Sequence, residues 1–261
     1  LETEYFISIL PTATPYSRNA IFSGCFPNKL QEIYPDLWPQ MWENETSMNQ
    51  FEEQLFQNRL RKEGIKKSMK YIKISDFKEG KKFYNKINDY KEVNILSIVV
   101  NFVDILGHTR SESEILKELI PNESAYRQAI YNWFEKSWLN DCFKEFKNWN
   151  SDIIITSDHG NTKVNKAVAV KADNTASSGI RYKYGRNFGV DDKKVLKIKK
   201  PHDFKLPSID INTEYIIARD ASYFVYTNQY HKYVNLYKDS FQHGGISMDE
   251  IIVPLIELKN K

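Results

Sequence analysis

The chain has 261 residues, with 37 Lys and Arg against 34 Asp and Glu, a formal net charge of +3 at pH 7. That length can bury a large core, and 16 Tyr, 15 Phe and 5 Trp exclude a mostly disordered chain. The near balance of charge excludes a nucleic-acid coating protein, and no apolar run approaches the roughly 20 residues of a membrane span. Cys25 and Cys142 make no disulfide framework and fit a reducing compartment. With no signal peptide either, a cytoplasmic protein without membrane insertion is expected. The chain opens on Leu1-Glu2-Thr3-Glu4 without an initiator Met and is expected to be part of a longer protein.

Tyr5 to Leu10 reads as a buried strand. Thr14 follows as a candidate N-cap, Pro15 as the first helical residue and Gly24 as the stop, which predicts a helix over 15–23. Thr14 would then either cap the helix in the ordinary way or sit among unpaired N–H groups suited to phosphate, or both. Pro27 to Gln40 reads as a short helical lid interrupted by Pro35 and Pro39. A second helix is expected from its cap Ser47, along Phe51, Leu55 and Phe56, to Gly64. Ser68 to Ile74 suggests an edge strand, and Asp76 to Asp89 a lysine-rich surface helix.

Val93 to Phe102 is apolar on both faces, which predicts a central parallel strand. Asp104 and His108 follow it four residues apart, close enough to chelate one ion from a helix or a loop. Ser124 to Asn148 predicts a long helix whose stripe, Tyr126, Ile130, Trp133, Phe134 and Trp138, belongs to the core. Asp152 to Thr156 is a short strand that delivers Asp158 and His159 at its carboxyl end, with Gly160 permitting a tight turn. A turn cap and a solvated histidine are the plain alternative there.

From Asn165 to Pro207 the pattern changes to short strands. Arg181-Tyr182-Lys183-Tyr184-Gly185-Arg186 reads as a hairpin with one charged face, or as a basic, aromatic wall for stacking bases. Lys193, Lys194, Lys197, Lys199 and Lys200 read as a solvated hairpin. Glu214 to Ala218, Ser222 to Val225 and Ile251 to Leu258 are three further strands. His243 before Gly244 and Gly245 suggests an imidazole held where backbone passes closely, while His202 and His231 read as surface residues. Alternation of strands and helices implies an α/β fold with a doubly wound, mostly parallel sheet, whose ligands bind beyond the strand carboxyl ends. Thr14, Asp104 and Asp158 each follow a strand, so all three are expected on that rim.

Thr14, Asp104, His108, Asp158, His159 and His243, in this order, resemble the alkaline phosphatase superfamily. Leu10-Pro11-Thr12-Ala13-Thr14, Arg18-Asn19-Ala20-Ile21-Phe22-Ser23-Gly24 and His243-Gly244-Gly245 with Ser247 are similar to the PglZ domain, in the form found in PorX-type response regulators of type IX secretion. The resemblance spans nearly the whole chain and implies one PglZ domain over 1–261 with cap-like segments at 27–90 and 165–207. It implies two divalent ions, zinc-like: Asp104, His108 and His243 on one, Asp158, His159 and the Thr14 oxygen on the other. Thr14 would be the metal-activated nucleophile, and Arg18 or Asn19, with Arg181, Lys183 and Arg186, would bind substrate.

One departure is plain. The superfamily places a further metal-binding aspartate upstream of the nucleophile, whereas the first aspartate here is Asp36. The implied activity is cleavage of a phosphodiester in an oligonucleotide or cyclic nucleotide. The implied partners are a receiver domain in cis, a sensor kinase and secretion components, with a homodimer compatible. A phosphomonoesterase or mutase is the competing enzyme, and a metal-stabilised docking module the competing non-enzyme.

Overall fold

The structure is a computed structural model that describes residues 1–38, 49–172, 177 and 179–260. It is α/β, and it divides into two compact units. The first comprises Leu1–Thr3, Ile65–Ile155 and Ile256–Lys261, and the second Glu4–Gly64 and Thr156–Leu255. The cap-like segment expected at 27–90 is therefore divided between them, while 165–207 belongs to the second alone.

The strands in chain order are β1 (Glu2–Ile7), β2 (Met69–Ile74), β3 (Ile95–Val100), β4 (Ile153–Thr156), β5 (Thr162–Lys163) and β6 (Lys166–Val170). They continue with β7 (Tyr182–Gly185), β8 (Val195–Ile198), β9 (Glu214–Ala218), β10 (Ser222–Tyr226), β11 (Phe241–Gln242) and β12 (Ile252–Leu258). Parallel pairing, expected for most of the sheet, is found in β2–β3 and in β6–β10. Among the described residues the ladders form five small sheets rather than one doubly wound sheet. β3, expected to be central, pairs with β2 in a two-stranded sheet. β1 is exposed along its length, with Ile7 at 75 %, because it lies at the edge of the order β1–β12–β4.

In the first unit, α-helices at Phe77–Asn85, Phe102–Glu112, Glu114–Leu119, Glu123–Lys136 and Trp138–Phe146 accompany β2 and β3. Asp76 caps the first of these by accepting from the Glu79 N–H at 2.7 Å. The single helix expected over 124–148 is two, because Ser137 turns extended (φ −93°, ψ 162°) and caps the second through the Leu139 N–H. Trp138, placed by that break, is 1 % exposed and packs with Ile74, Phe83, Ile87, Cys142 and Trp149. Burial pushes the Cys142 thiol up to about 12, so it behaves as a small apolar filler.

In the second unit, α-helices lie at Thr14–Ser23, Pro27–Ile33, Glu52–Lys62, Tyr230–Tyr237 and Met248–Ile251. Gly24 ends the first with φ 63°, the left-handed conformation that glycine adopts without cost. The lid helix stops at Ile33, before Pro35; Pro39, Gln40 and the expected cap Ser47 lie outside the described residues. β7, β9 and β8 form an antiparallel sheet with β9 in the middle, and its residues Tyr182, Tyr184, Tyr215 and Ile217 pack around Ala13 and Tyr16. This core anchors the start of the helix that carries Thr14.

Gly80 tests the packing of the first unit, since a Cβ there would sit 1.9 Å from Nε1 of Trp138. Gly80→Ala is expected to lower stability by about 1–3 kcal/mol through overpacking, read from the urea unfolding midpoint.

Candidate metal centre

The helix at Thr14–Ser23 has Ala13 as its N-cap, in extended conformation (φ −132°, ψ 136°), with no side-chain cap. Thr14 therefore does not cap. Its Oγ1 lies 2.9 Å from Nε2 of His159 instead. Of the N–H groups at this helix start, those of Tyr16 and Ser17 both donate to the Ala13 carbonyl, and Pro15 has none. What reaches Thr14 is a side chain from the loop after β4.

That loop is held by its backbone. Ser8 donates through Oγ to the Asp158 carbonyl at 2.5 Å, and Ser157 does the same to the His159 carbonyl at 2.5 Å. Gly160 is required by close approach: a Cβ there would meet the Asp249 carbonyl oxygen at 2.1 Å. Nδ1 of His159 lies 2.9 Å from the Gly160 carbonyl oxygen, which only accepts, so the proton is on Nδ1. The Nε2 lone pair then faces Thr14, whose hydroxyl donates to it. Oδ2 of Asp158 lies 3.5 Å from the same Nε2, buried and without a hydrogen-bond partner among the described residues. A buried carboxylate oxygen left without a partner is costly, and a cation beside it removes that cost.

His243 follows β11 in the same unit. Its ring stacks on that of His159, with centroids 4.2 Å apart and planes at 20°. Nδ1 lies 3.3 Å from the Thr12 carbonyl oxygen, which again places the proton on Nδ1, so that Nε2 is the ring atom that could ligate a metal. The close backbone passage expected at the two glycines is present. Gly244 has φ 105°, and a Cβ on Gly245 would lie 2.3 Å from the Arg181 guanidinium.

Asp104 and His108 belong to the first unit, one turn apart on the helix at Phe102–Glu112. Nε2 of His108 lies 3.4 Å from Oδ1 of Asp104. The hydrogen bond with Asp104 raises the imidazole pKa against the opposing effect of burial, and the Asp104 and Glu112 charges add to the rise. The two side chains thus form a partly exposed carboxylate–imidazole pair with both donors on one helix face.

The residues expected to bind substrate are placed differently. Arg181 is fully buried: it donates through Nε and Nη2 to the two Glu250 carboxylate oxygens at 2.7 Å each, and to the Ser222 and Asp220 carbonyls. Lys183 is also buried, donating to the Ser177 and Gly179 carbonyls and lying 4.2 Å from the Tyr226 ring centroid. The exposed basic wall is thus corrected, since β7 is covered on both faces and alternation marked no solvent side. Arg186 is exposed and paired with Asp210. Arg18 is committed to Glu52 at 2.6 Å, and the Asn19 amide donates to the Pro15 carbonyl at 2.8 Å within its helix. His202 and His231 are exposed, as expected.

Thr12 and Glu250 were not among the expected site residues. Thr12 Oγ1 donates to the Gly245 carbonyl at 2.8 Å and accepts from the Gly244 N–H at 3.1 Å. Glu250 accepts from the Gly245 N–H at 2.9 Å and from the Ser247 hydroxyl at 2.7 Å. Burial opposes ionisation of Glu250, but the Arg181 hydrogen bonds and charge, with Ser247 and Gly245, outweigh it and hold the carboxyl below its ordinary range. The Ser247-x-x-Glu250 spacing is a capping box, and it is the sequence signal that marks Glu250.

A hydroxyl, an imidazole and a carboxylate oxygen without a hydrogen-bond partner among the described residues meet at the start of a helix on an α/β scaffold, a donor set that could hold a divalent cation. Residues 1–258 match the family model for the BREX system PglZ alkaline phosphatase-like domain. The chain belongs to this PglZ family and hence to the alkaline phosphatase-like hydrolases. A comparison with curated proteins finds no match. Among solved structures it is similar to a phosphonoacetate hydrolase from Sinorhizobium meliloti 1021 in complex with phosphonoformate, at 14 % identity and a TM-score of 0.42. That similarity covers 70 % of this chain and 49 % of the other, so the chain spans about half the length of that enzyme. Among the described residues no helix is long and apolar enough to cross a membrane.

The Asp104–His108 pair makes a direct pH prediction. In metal-free protein His108 titrates above the ordinary histidine value, and Asp104→Asn is expected to lower it, as followed by NMR of the ring protons. Because the folded pKa is the higher one, any stability the pair contributes is complete below pH 6.5 and is lost as pH rises through the folded value.

Proposed function

We propose that this chain is a metal-dependent phosphodiesterase with Thr14 as nucleophile, acting on oligonucleotides or cyclic nucleotides. The observation that carries the reading is the meeting of Thr14 Oγ1 with His159 Nε2 at 2.9 Å, beside the unpartnered Asp158 Oδ2. These donors fit one divalent ion, with zinc the best match to mixed imidazole and oxygen ligands. The family resemblance assigns Asp104, His108 and His243 to a second. When bound, the ions would lower the pKa of the Thr14 hydroxyl and neutralise charge on the phosphoryl oxygens.

The residues of the chain account for the rest. His159 orients the Thr14 hydroxyl at the start of its helix, so the attacking oxygen is placed before substrate arrives. In the first step an Oγ1–P bond forms as the ester P–O bond breaks and the alcohol leaves. In the second, water cleaves the threonyl ester, restoring the hydroxyl and releasing a phosphomonoester. The wording of the segments 10–14, 18–24 and 243–245 supports a cytoplasmic response-regulator output role in type IX secretion, with a receiver domain in cis and a sensor kinase upstream.

Purified protein with zinc is expected to turn over bis(4-nitrophenyl) phosphate faster than 4-nitrophenyl phosphate. Thr14→Ala should lower the diester rate by roughly a thousandfold or more. Faster monoester turnover would favour a phosphomonoesterase, and an unchanged rate in Thr14→Ala would remove the nucleophile. Metal analysis should find two ions per chain, and one fewer in His243→Ala; an unchanged count would sink the ligand assignment.

A further inference from the structure

We propose that Thr12 and the buried Arg181–Glu250 pair are positioning residues that set the orientation of the His243 and His159 imidazoles, a role that rests on the metal-site reading above. Three groups of the Gly244-Gly245 backbone are gripped by buried side chains. Thr12 Oγ1 takes the Gly244 N–H and gives its own proton to the Gly245 carbonyl, and Glu250 takes the Gly245 N–H. The Thr12 carbonyl oxygen meets Nδ1 of His243, so one residue holds both the main chain and the ring of this loop.

Glu250 reaches the other histidine as well. Its backbone carbonyl accepts the Gly160 N–H at 2.9 Å, next to His159, while its carboxylate holds Gly245 and Ser247. One residue therefore fixes the spacing of the two loops whose rings stack at 4.2 Å. Arg181 makes this bracket rigid. Its planar guanidinium spans both Glu250 oxygens and two carbonyls, and it lies flat where Gly245 offers no side chain. A lysine has no such fork. An apolar core would pack the same volume, but it would not orient three backbone dipoles around a ligating ring.

The test uses Thr12→Val, Thr12→Ser, Glu250→Gln and Arg181→Lys in the full chain. Nitrogen-15 NMR of metal-free protein reads the tautomers of His243 and His159, and competition with a chelator reads zinc affinity of the folded protein. In wild type both rings should be Nδ1-protonated. Thr12→Val and Glu250→Gln should shift His243 toward the Nε2-protonated form and weaken zinc by about 10–100-fold, with Thr12→Ser restoring both. A role in stability alone would lower the unfolding midpoint and leave tautomer and affinity unchanged, and that result overturns the proposal. Should the Glu250 and Arg181 variants fail to fold, the Thr12 pair decides it. If wild type takes up no zinc while the His243 tautomer still depends on Thr12, positioning stands and the metal reading falls.

Discussion

A guanidinium and a carboxylate withdrawn from water together tie the start of β7, the 220–222 turn and the 245–250 segment of the second unit to one another. Neither Arg181 nor Glu250 is reached by solvent, and such a pair survives only when its geometry is good and its remaining donors and acceptors are used. Here they are used, on the Asp220 and Ser222 carbonyls, the Gly245 and Ser247 N–H groups and the Ser247 hydroxyl. Removing one partner from a pair of this kind costs about 3–5 kcal/mol, because the other charge is left buried alone. The backbone around His243 inherits that rigidity.

The histidine loops meet there for a steric reason as well. Gly160 and Gly245 each lie where a side chain would collide, one with the Asp249 carbonyl and the other with Arg181. The His159 loop therefore passes closer to the segment 249–250, and the His243 loop closer to Arg181, than any other residue would permit, and the rings stack. Beside that stack, Asp158 Oδ2 is buried without a hydrogen-bond partner among the described residues and leaves a local excess of acceptors. Such an excess is what a cation satisfies.

Some of this arrangement is legible from residue order alone. Strands deliver Thr14 and Asp158 at their carboxyl ends, and the helix after Thr14 stops at Gly24 as its punctuation requires. Asp104 and His108 are one turn apart on a helix, so their pairing follows from local geometry. The basic and aromatic alternation at 181–186 misled because alternation reports a half-exposed strand only when one face meets water. β7 is covered on both faces, so its Arg and Lys had to find buried partners. The long helix expected at 124–148 broke for a local reason, since Ser137 caps a new helix better than it continues the old one.

The sequence by itself pointed to the α/β class, to the side chains that its family resemblance names as candidate ligands, and to the glycines beside them. These depend on residue type and short-range spacing, which the chain carries without folding. Only the tertiary structure decided that Thr14 turns to His159 rather than capping its helix, and that Arg181 seeks Glu250 rather than solvent. The first sets a local cap, and the second hydration, against a hydrogen bond between residues more than 60 positions apart. The distant partner prevails because burial removes the competing water, and no local pattern records which side chains will be buried together.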